Sequence, residues 1–468
     1  MDSRDHERER RRLVEELGGE DVHIPTPIRK VALASFIGTT VEWYDYFIYG
    51  TAAALVFGPQ FFPEFSPLAS TLAAFSTFAV GFLARPVGGV VFGHLGDRIG
   101  RKVMLVISLL VMGLATVAIG LLPTYASIGV AAPILLVALR FMQGFAVGGE
   151  WGGAVLMTIE HSPREKRGLY GSFPQLGKAA GILLANAAFL SVVGALSQEQ
   201  FAAWGWRVPF LLSIVLIAIG LYIRLRIEES PVFRQVRETQ SEARMPIVDV
   251  FRTYPREVFL AGGACITTIA MGYLVQVYML SYATQSLGLA NSTILTIVVL
   301  SAVIELFAVV GLAALSDRVG RRKVFMSGTV LGALWALPFF CLIDVGSLVL
   351  IAIAMVVMMV IASLMYGPMA ALFAEMFGTR VRYSGASVGY QIGSIIGGAL
   401  TPIVATSLFA ATGTSTSISV YMIILCAISF VSIFLITETY QKDLGEVDVR
   451  ERELLAGAGD GAGRSSAG

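Results

Sequence analysis

Charged groups in the middle of an apolar helix are costly, so each one in this chain is a functional candidate. Glu42 and Asp45 fall in one such run, and with Gly38 and Tyr49 they are spaced 4, 3 and 4 residues apart, which sets both carboxylates on a single helical face. That face cannot look at lipid. Arg140, Gly144, Val147 and Trp151 form a second stripe of this type, with Gln143 beside it. Glu150 lies deep in the same run but off the Arg140 stripe. Lys178 stands about ten residues into another run, and Glu305 is central in a fourth. At about 1.5 Å per residue both are mid-membrane. A buried carboxylate is suited to carrying a proton, because burial favours its neutral form and a nearby cation its charged form. Tyr273 and Gln276, Tyr366 before Gly367-Pro368, and Tyr390-Gln391 add polar groups that orient a small ligand; plain interhelical hydrogen bonding is their competing use.

Other chemistries are excluded. Gly171 to Ala179 superficially resembles a phosphate loop, but five residues separate its glycines and Ala179 stands where Ser or Thr would hold magnesium. There is no metal constellation, and no nucleophile has an adjacent base, so neither an enzyme nor a bound cofactor is expected. Cys265, Cys341 and Cys426 are scattered through apolar runs and read as small hydrophobes.

The elements that must position these groups are membrane helices. Of 468 residues 56% are hydrophobic and only 14% charged, with a net charge of +1, so the expected partner is the lipid bilayer rather than nucleic acid. Crossing a bilayer core takes roughly 20 apolar residues. Twelve stretches qualify: Val31 to Phe57, Ala69 to Leu95, Val103 to Leu122, Ala131 to Thr158, Leu169 to Leu196, Trp206 to Ile223, Val258 to Thr284, Thr293 to Leu315, Val324 to Leu342, Leu348 to Phe377, Ser384 to Ala411 and Ile418 to Ile436. The loops check the count. All but four of the 34 Lys and Arg lie in the segments of one face; the exceptions are Arg85, Arg140, Lys178 and Arg207, the last at the outer mouth of span six. By the positive-inside rule both termini are cytoplasmic. Met1 to Ile24 lacks the apolar core of a signal peptide, so the first span is expected to direct insertion itself.

The chain also repeats. GHLGDRIGRK around Gly93 returns as LAALSDRVGRRK around Leu312, with Asp97, Arg98, Gly100 and Arg101 recurring 220 residues later as Asp317, Arg318, Gly320 and Arg321. Glu160 and Arg167 return 215 residues later as Glu375 and Arg382. The expected organisation is a cytoplasmic segment (1–30), a six-helix half (31–223), a cytoplasmic linker (224–257), a second six-helix half (258–439) and a cytoplasmic tail expected to be disordered (440–468). Duplicated halves around a central site are how secondary transporters are built. Gly148/Gly152, Gly177/Gly181 and Gly393/Gly397 have the spacing that allows close, sliding helix contacts.

The layout and the G-x-L-G-D-R-x-G-R-K loop resemble the major facilitator superfamily, and Arg140-Phe-Met-Gln143-Gly144 is similar to the R-x-x-Q-G signature of its proton-coupled members. Glu42-Trp-Tyr-Asp45-Tyr and the run from Gln143 to Ala154 resemble the metabolite:proton symporter family, which includes shikimate, dicarboxylate, citrate and proline/betaine carriers. GGEWGGA, with Glu375-Met-Phe-Gly and Tyr383-Ser-Gly, is most similar to the shikimate-transporter branch. The resemblance covers about Val31 to Glu438. It implies an all-α integral membrane fold of twelve helices in two pseudo-symmetric halves.

It also implies that spans one and four line a central cavity, so that Asp45 or Glu42 meets Arg140. Asp45 is then the expected proton carrier with Arg140 controlling its affinity and Glu42 as second candidate; a permanent salt bridge is the competing account. Spans five and eight face each other in that fold, which makes Glu305 the counter-ion of Lys178. Whether the pair is a gate between the halves or Lys178 anchors a substrate carboxylate stays open. The resemblance casts Asp97, Arg98, Arg101, Asp317, Arg318 and Arg321, with Glu160, Glu375 and Arg382, as latches. In them the acid ending span two caps the start of span eleven.

The expected function is proton-coupled uptake of a small polar metabolite by alternating access across a bacterial inner membrane. It is driven by the proton gradient without a cofactor, and the chain is expected to act as a monomer. An organic acid such as shikimate comes first, because Lys178 and Arg140 give the cavity positive charge. Proline or betaine comes second, on the ground that Tyr44, Tyr46 and Tyr49 could cage a quaternary ammonium. A non-transporting membrane sensor on the same fold is a third, remoter reading.

Overall fold

A computed structural model describes residues 28–99, 101–148, 150–160, 162–226, 246–378 and 381–440. These residues are helical almost throughout. Ten of the helices are long and apolar enough to cross a membrane. Two more complete the predicted set: Ile28–Ala52, whose polar face carries Glu42 and Asp45, and Arg101–Leu121, whose apolar part is Val106–Leu121.

The spans run as follows. Span one is Ile28–Ala52, span two Pro67–Ile99 and span three Arg101–Leu121. Span four comprises Ala131–Val147 and Glu150–Glu160. Span five is Arg167–Ala195, and span six Val208–Arg226. Span seven begins with Pro255–Tyr273 and ends with Met279–Gln285. Span eight is Asn291–Val319, span nine Arg321–Asp344 and span ten Leu348–Met376. Span eleven begins with Arg382–Ser394 and ends with Leu400–Thr412, and span twelve is Thr416–Leu435.

Among the described residues three wide π-turns stand out. Ala53–Phe57 follows span one, Leu274–Tyr278 interrupts span seven and Ile395–Ala399 interrupts span eleven. The first two lie at matching points of the repeat. Turns of this kind gather at functional sites, since they re-aim the side chains beyond them. Span ten, by contrast, passes Gly367-Pro368 as a continuous helix. In the linker, Pro246–Thr253 is a short helix with Val250 fully buried.

The outer surface is apolar, with Phe307 76% and Leu334 69% exposed, as a lipid-facing surface requires. Inside each half, glycine sets how closely helices approach. A Cβ at Gly144 would overlap the Gly81 carbonyl and one at Gly88 the Phe145 carbonyl, so spans two and four touch backbone to backbone. Gly177 and Gly181 seat span five on span one, and Gly393 and Gly397 seat span eleven on span seven. These pairs, read as sliding surfaces from the sequence, therefore lock helices within a half. Gly152 alone of the six faces the other half, against Ser387.

Candidate functional site

The halves meet along spans five and eight and along spans two and eleven. Lys178 and Glu305 sit in the first seam. Lys178 Nζ lies 3.0 Å from Glu305 Oε1 and 4.2 Å from the centre of the Tyr366 ring. The pairing expected from the resemblance is formed, and it joins the two halves.

Toward the basic end, where Arg164, Lys166, Arg321 and Lys323 lie, the seam is latched. The two carboxylate oxygens of Asp317 accept 2.8 Å hydrogen bonds from the backbone N–H groups of Gly168 and Leu169, capping the first turn of span five from the opposite half. Arg321 holds Asp317 at 2.5 Å and reaches Glu375 at 3.5 Å. Glu375 also accepts a 2.7 Å bond from Thr439, and Arg382 Nε donates to the Phe377 carbonyl at 3.1 Å. Arg318 is exposed and no described carboxylate pairs with it, so it takes no part in this latch. The first copy of the motif, with the side chains of Asp97, Arg98, Arg101 and Glu160, lies outside the described residues. So does the side chain of Glu150.

Above the latch, Trp151 of span four stacks on Tyr390 of span eleven, ring centres 4.1 Å apart and planes within 11°. Gln391 Nε2 donates to the Gly148 carbonyl at 3.2 Å, and Gln175, which accepts from Trp151 Nε1 at 3.1 Å, donates to the Tyr366 carbonyl at 3.0 Å. On the charge-poor side Tyr273 packs among Phe47, Phe78 and Phe82, at 5.5, 5.6 and 5.3 Å between ring centres. Near that surface Gln285 reaches Thr71 at 3.3 Å, beside a cavity of about 240 Å³ lined by the π-turn after span one. The halves are therefore closed on both sides of a small central cavity of about 10 Å³, bordered by Glu42, Tyr46, Arg85, Trp151, Tyr390 and Gln391.

Of the residues expected to couple protons, Glu42 lines this cavity, whereas Asp45 and Arg140 are buried in the first half outside its lining. Asp45 is fully buried; Oδ1 accepts a 2.5 Å hydrogen bond from Ser213, and Oδ2 has no hydrogen-bond partner among the described residues. Arg140 is buried too, but the expected contact with a span-one carboxylate is not formed. Its guanidinium donates to Gln143 Oε1, and Gln143 Nε2 donates to the backbone carbonyl of Asp45 at 3.1 Å and to Thr116 at 2.8 Å. The glutamine thus links the guanidinium to the backbone of Asp45 and not to its carboxylate. The charge of Arg140 is covered by rings instead: Tyr46, Tyr49 and Phe78 lie 4.1, 4.2 and 4.8 Å away. Gly81 leaves room for it, since a Cβ there would stand 2.5 Å from Nε. A permanent salt bridge is thus not the arrangement at Asp45.

This also changes the reading of the tyrosines. Tyr46 and Tyr49 face Arg140, Tyr49 donates to Thr77 at 2.7 Å, and Tyr44 turns to the Pro209 carbonyl at 2.8 Å, so the three do not form an open cage. Around the centre several buried polar atoms have no partner among the described residues: Tyr46 Oη, Arg85 Nε, Tyr273 Oη, Tyr366 Oη, Ser394 Oγ and both amide atoms of Gln276. Buried groups are normally satisfied, so such a cluster marks where a small polar ligand or water belongs.

Arg85 and Ser213 went unassigned in the sequence. The signal for Arg85 was present, because it is one of the four cations outside the loops; Ser213, a lone hydroxyl in an apolar run, carried almost none. Arg207, another of the four, is structural, capping the end of span three through the carbonyls of Gly120 and Leu122 at 2.9 and 2.6 Å.

Comparison with known proteins places the fold. Residues 30–252 match the family model described as sugar (and other) transporter, and residues 260–460 that of the major facilitator superfamily. The shikimate transporter of Escherichia coli K12 is 42% identical over 88% of this chain and 95% of its own length. The inner membrane metabolite transport protein YhjE of that organism is also 42% identical, over 90% and 97%. The proline/betaine transporter of Salmonella typhimurium is 34% identical over 92% and 88%. Among solved structures the xylose transporter XylE from E. coli, in a partially occluded inward-open conformation, overlaps 89% of this chain and 99% of its own with a TM-score of 0.68 at 16% identity. The chain belongs to the major facilitator superfamily and is a multi-pass membrane transporter, not an enzyme.

Proposed function

We propose that the protein is a proton-coupled importer of a small organic acid, with shikimate the first candidate, working by alternating access in a bacterial inner membrane. The observation that carries this reading is Asp45: a fully buried carboxylate with one oxygen unpartnered, on the helix whose backbone Gln143 links to the buried guanidinium of Arg140. Such a group exchanges a proton in response to movement of its neighbours. The 42% identity to a shikimate transporter supports the substrate class. In this reading the basic end is cytoplasmic, Lys178 and Glu305 are a gate, the protein acts as a monomer, and no cofactor is needed beyond the proton gradient.

A second reading has one specific observation behind it. Glu42 borders the same cavity as Arg85, a pair of opposite charges that suits a zwitterion, and a proline/betaine transporter is 34% identical. Purified protein in liposomes on a solid-supported membrane tests both. A pH-dependent current with shikimate and none with betaine is expected; current with betaine or proline alone would put the osmolyte reading first.

A further inference from the structure

We propose that Arg85, which lines the central cavity among the rings of Trp43, Tyr46 and Phe82, is the anchor for one carboxylate of the transported solute. The inference rests on the carboxylate-carrier reading above and assigns it an atom.

Four cations of the chain stand outside its loops; Lys178 and Arg207 have full partners, Arg140 keeps Nε and Nη2 unpartnered away from the cavity, and Arg85 alone of the four lines it. Lys178 is paired with Glu305. Arg140 is bound to Gln143 and covered by three rings. Arg207 is bound to two backbone carbonyls. Arg85 is the one that borders the cavity, and it is 2% exposed. Its carbon centre lies 4.2 Å from the ring of Tyr46, 4.9 Å from Phe82 and 5.6 Å from Trp43.

Rings attract a guanidinium through its flat faces and leave the N–H donors in its plane unused. Nε has no acceptor, and among the described residues no carboxylate pairs with the terminal nitrogens. A buried guanidinium at a cavity wall with Nε unpartnered is matched by a planar carboxylate, which can take two parallel hydrogen bonds from it. A carboxylate ligand also removes the cost of keeping this charge out of water unpaired.

Glu42 on the same wall limits the ligand further. A second anionic group would meet that carboxylate, so the site suits a monoanion with hydroxyls, or a zwitterion, over a di- or tricarboxylate. The cavity, about 10 Å³, holds about one water. A solute therefore enters only as the halves part, which must unstack Trp151 from Tyr390, since those rings come from opposite halves. Trp151 fluorescence then reports occupancy.

The test is a fluorescence titration of the purified full-length protein with shikimate, its neutral methyl ester, betaine and choline, in wild type, Arg85→Gln and Arg85→Lys, with Trp151→Phe as the signal control. Wild type is expected to bind shikimate or betaine at least about tenfold more tightly than the partner probe lacking the carboxylate. Arg85→Gln should lose that margin, and Arg85→Lys, which keeps the buried charge, should recover part of it. Unchanged affinity in Arg85→Gln, or an ester or choline bound as tightly as the carboxylate, overturns the inference while leaving an acid carrier intact. Binding of betaine but not shikimate, lost in Arg85→Gln, sustains the anchor and removes the organic-acid reading. A wild type that binds none of the four probes overturns both.

Discussion

Lys178 of the first half and Glu305 of the second form a buried ion pair 3.0 Å long, with the ring of Tyr366 beneath the ammonium. It is an ionic link between the halves in the middle of the membrane. Its partners lie on helices of opposite halves, so in the alternating-access reading proposed above it is a gate that is broken and remade in each cycle.

Removing one partner of a buried pair costs about 3–5 kcal/mol, because the other charge is left stranded. Lys178→Glu and Glu305→Lys are each expected to abolish uptake, and the double exchange to restore a measurable part of it. Uptake by vesicles carrying the three variants checks this. If the exchange stays as inactive as the single variants, Lys178 has a second task that its position alone performs.

Asp45→Asn keeps the side-chain shape and a hydrogen bond with Ser213 but cannot release a proton. Uphill accumulation of labelled substrate should fall to equilibrium, whereas exchange at equal concentrations on both sides should survive in part. Accumulation retained at the wild-type level would move proton coupling away from Asp45, with Glu42 next in line.

Asp317 caps two backbone N–H groups across the seam. Losing a cap of this kind costs about 1–2 kcal/mol, roughly 5- to 30-fold in the ratio of closed to open latch. Asp317→Ala should accelerate hydrogen exchange of the amides at Gly168 and Leu169 while leaving the charge-poor end unchanged. Equal protection in the variant would show that the latch is held elsewhere.

Arg140 is stacked on three rings, which a flexible ammonium cannot reproduce. Arg140→Lys should therefore behave as a loss of function, with about 0.5–2 kcal/mol of ring interaction forfeited. Transport assays and a thermal melt separate the two effects: a stable but inactive Arg140→Lys supports a role in coupling, and a fully active one refutes it.

Gly144→Ala probes the packing that supports the site. The added methyl has nowhere to go but the Gly81 carbonyl, and overpacking of this sort costs about 1–3 kcal/mol. A lower melting temperature is expected, together with weaker transport because Arg140 lies one turn away. An unchanged melting temperature would mean that spans two and four can separate freely.

Much of this protein was legible in its sequence. Span number and repeat are carried residue by residue, through apolar run length and recurring motifs such as Asp97 and Asp317. A carboxylate cannot be hidden from lipid except inside a bundle, so Asp45, Arg140, Lys178 and Glu305 announced themselves as interior groups from their positions alone.

The tertiary structure decided who meets whom. Successive helical residues turn by about 100°, so a small rotation of span four exchanges Gln143 for Arg140 in front of Asp45, and no pattern within one span reports that rotation. The chain packs with the glutamine linking Arg140 to the backbone of Asp45, with rings over Arg140 and with Ser213 from span six on the carboxylate. Arg85 shows the same division most clearly: its type and depth were written in the sequence, but that it lines a cavity among rings depends on where Trp43, Tyr46 and Phe82 come to rest around it. Hydropathy is a property of each residue, whereas a site is a property of distances between helices.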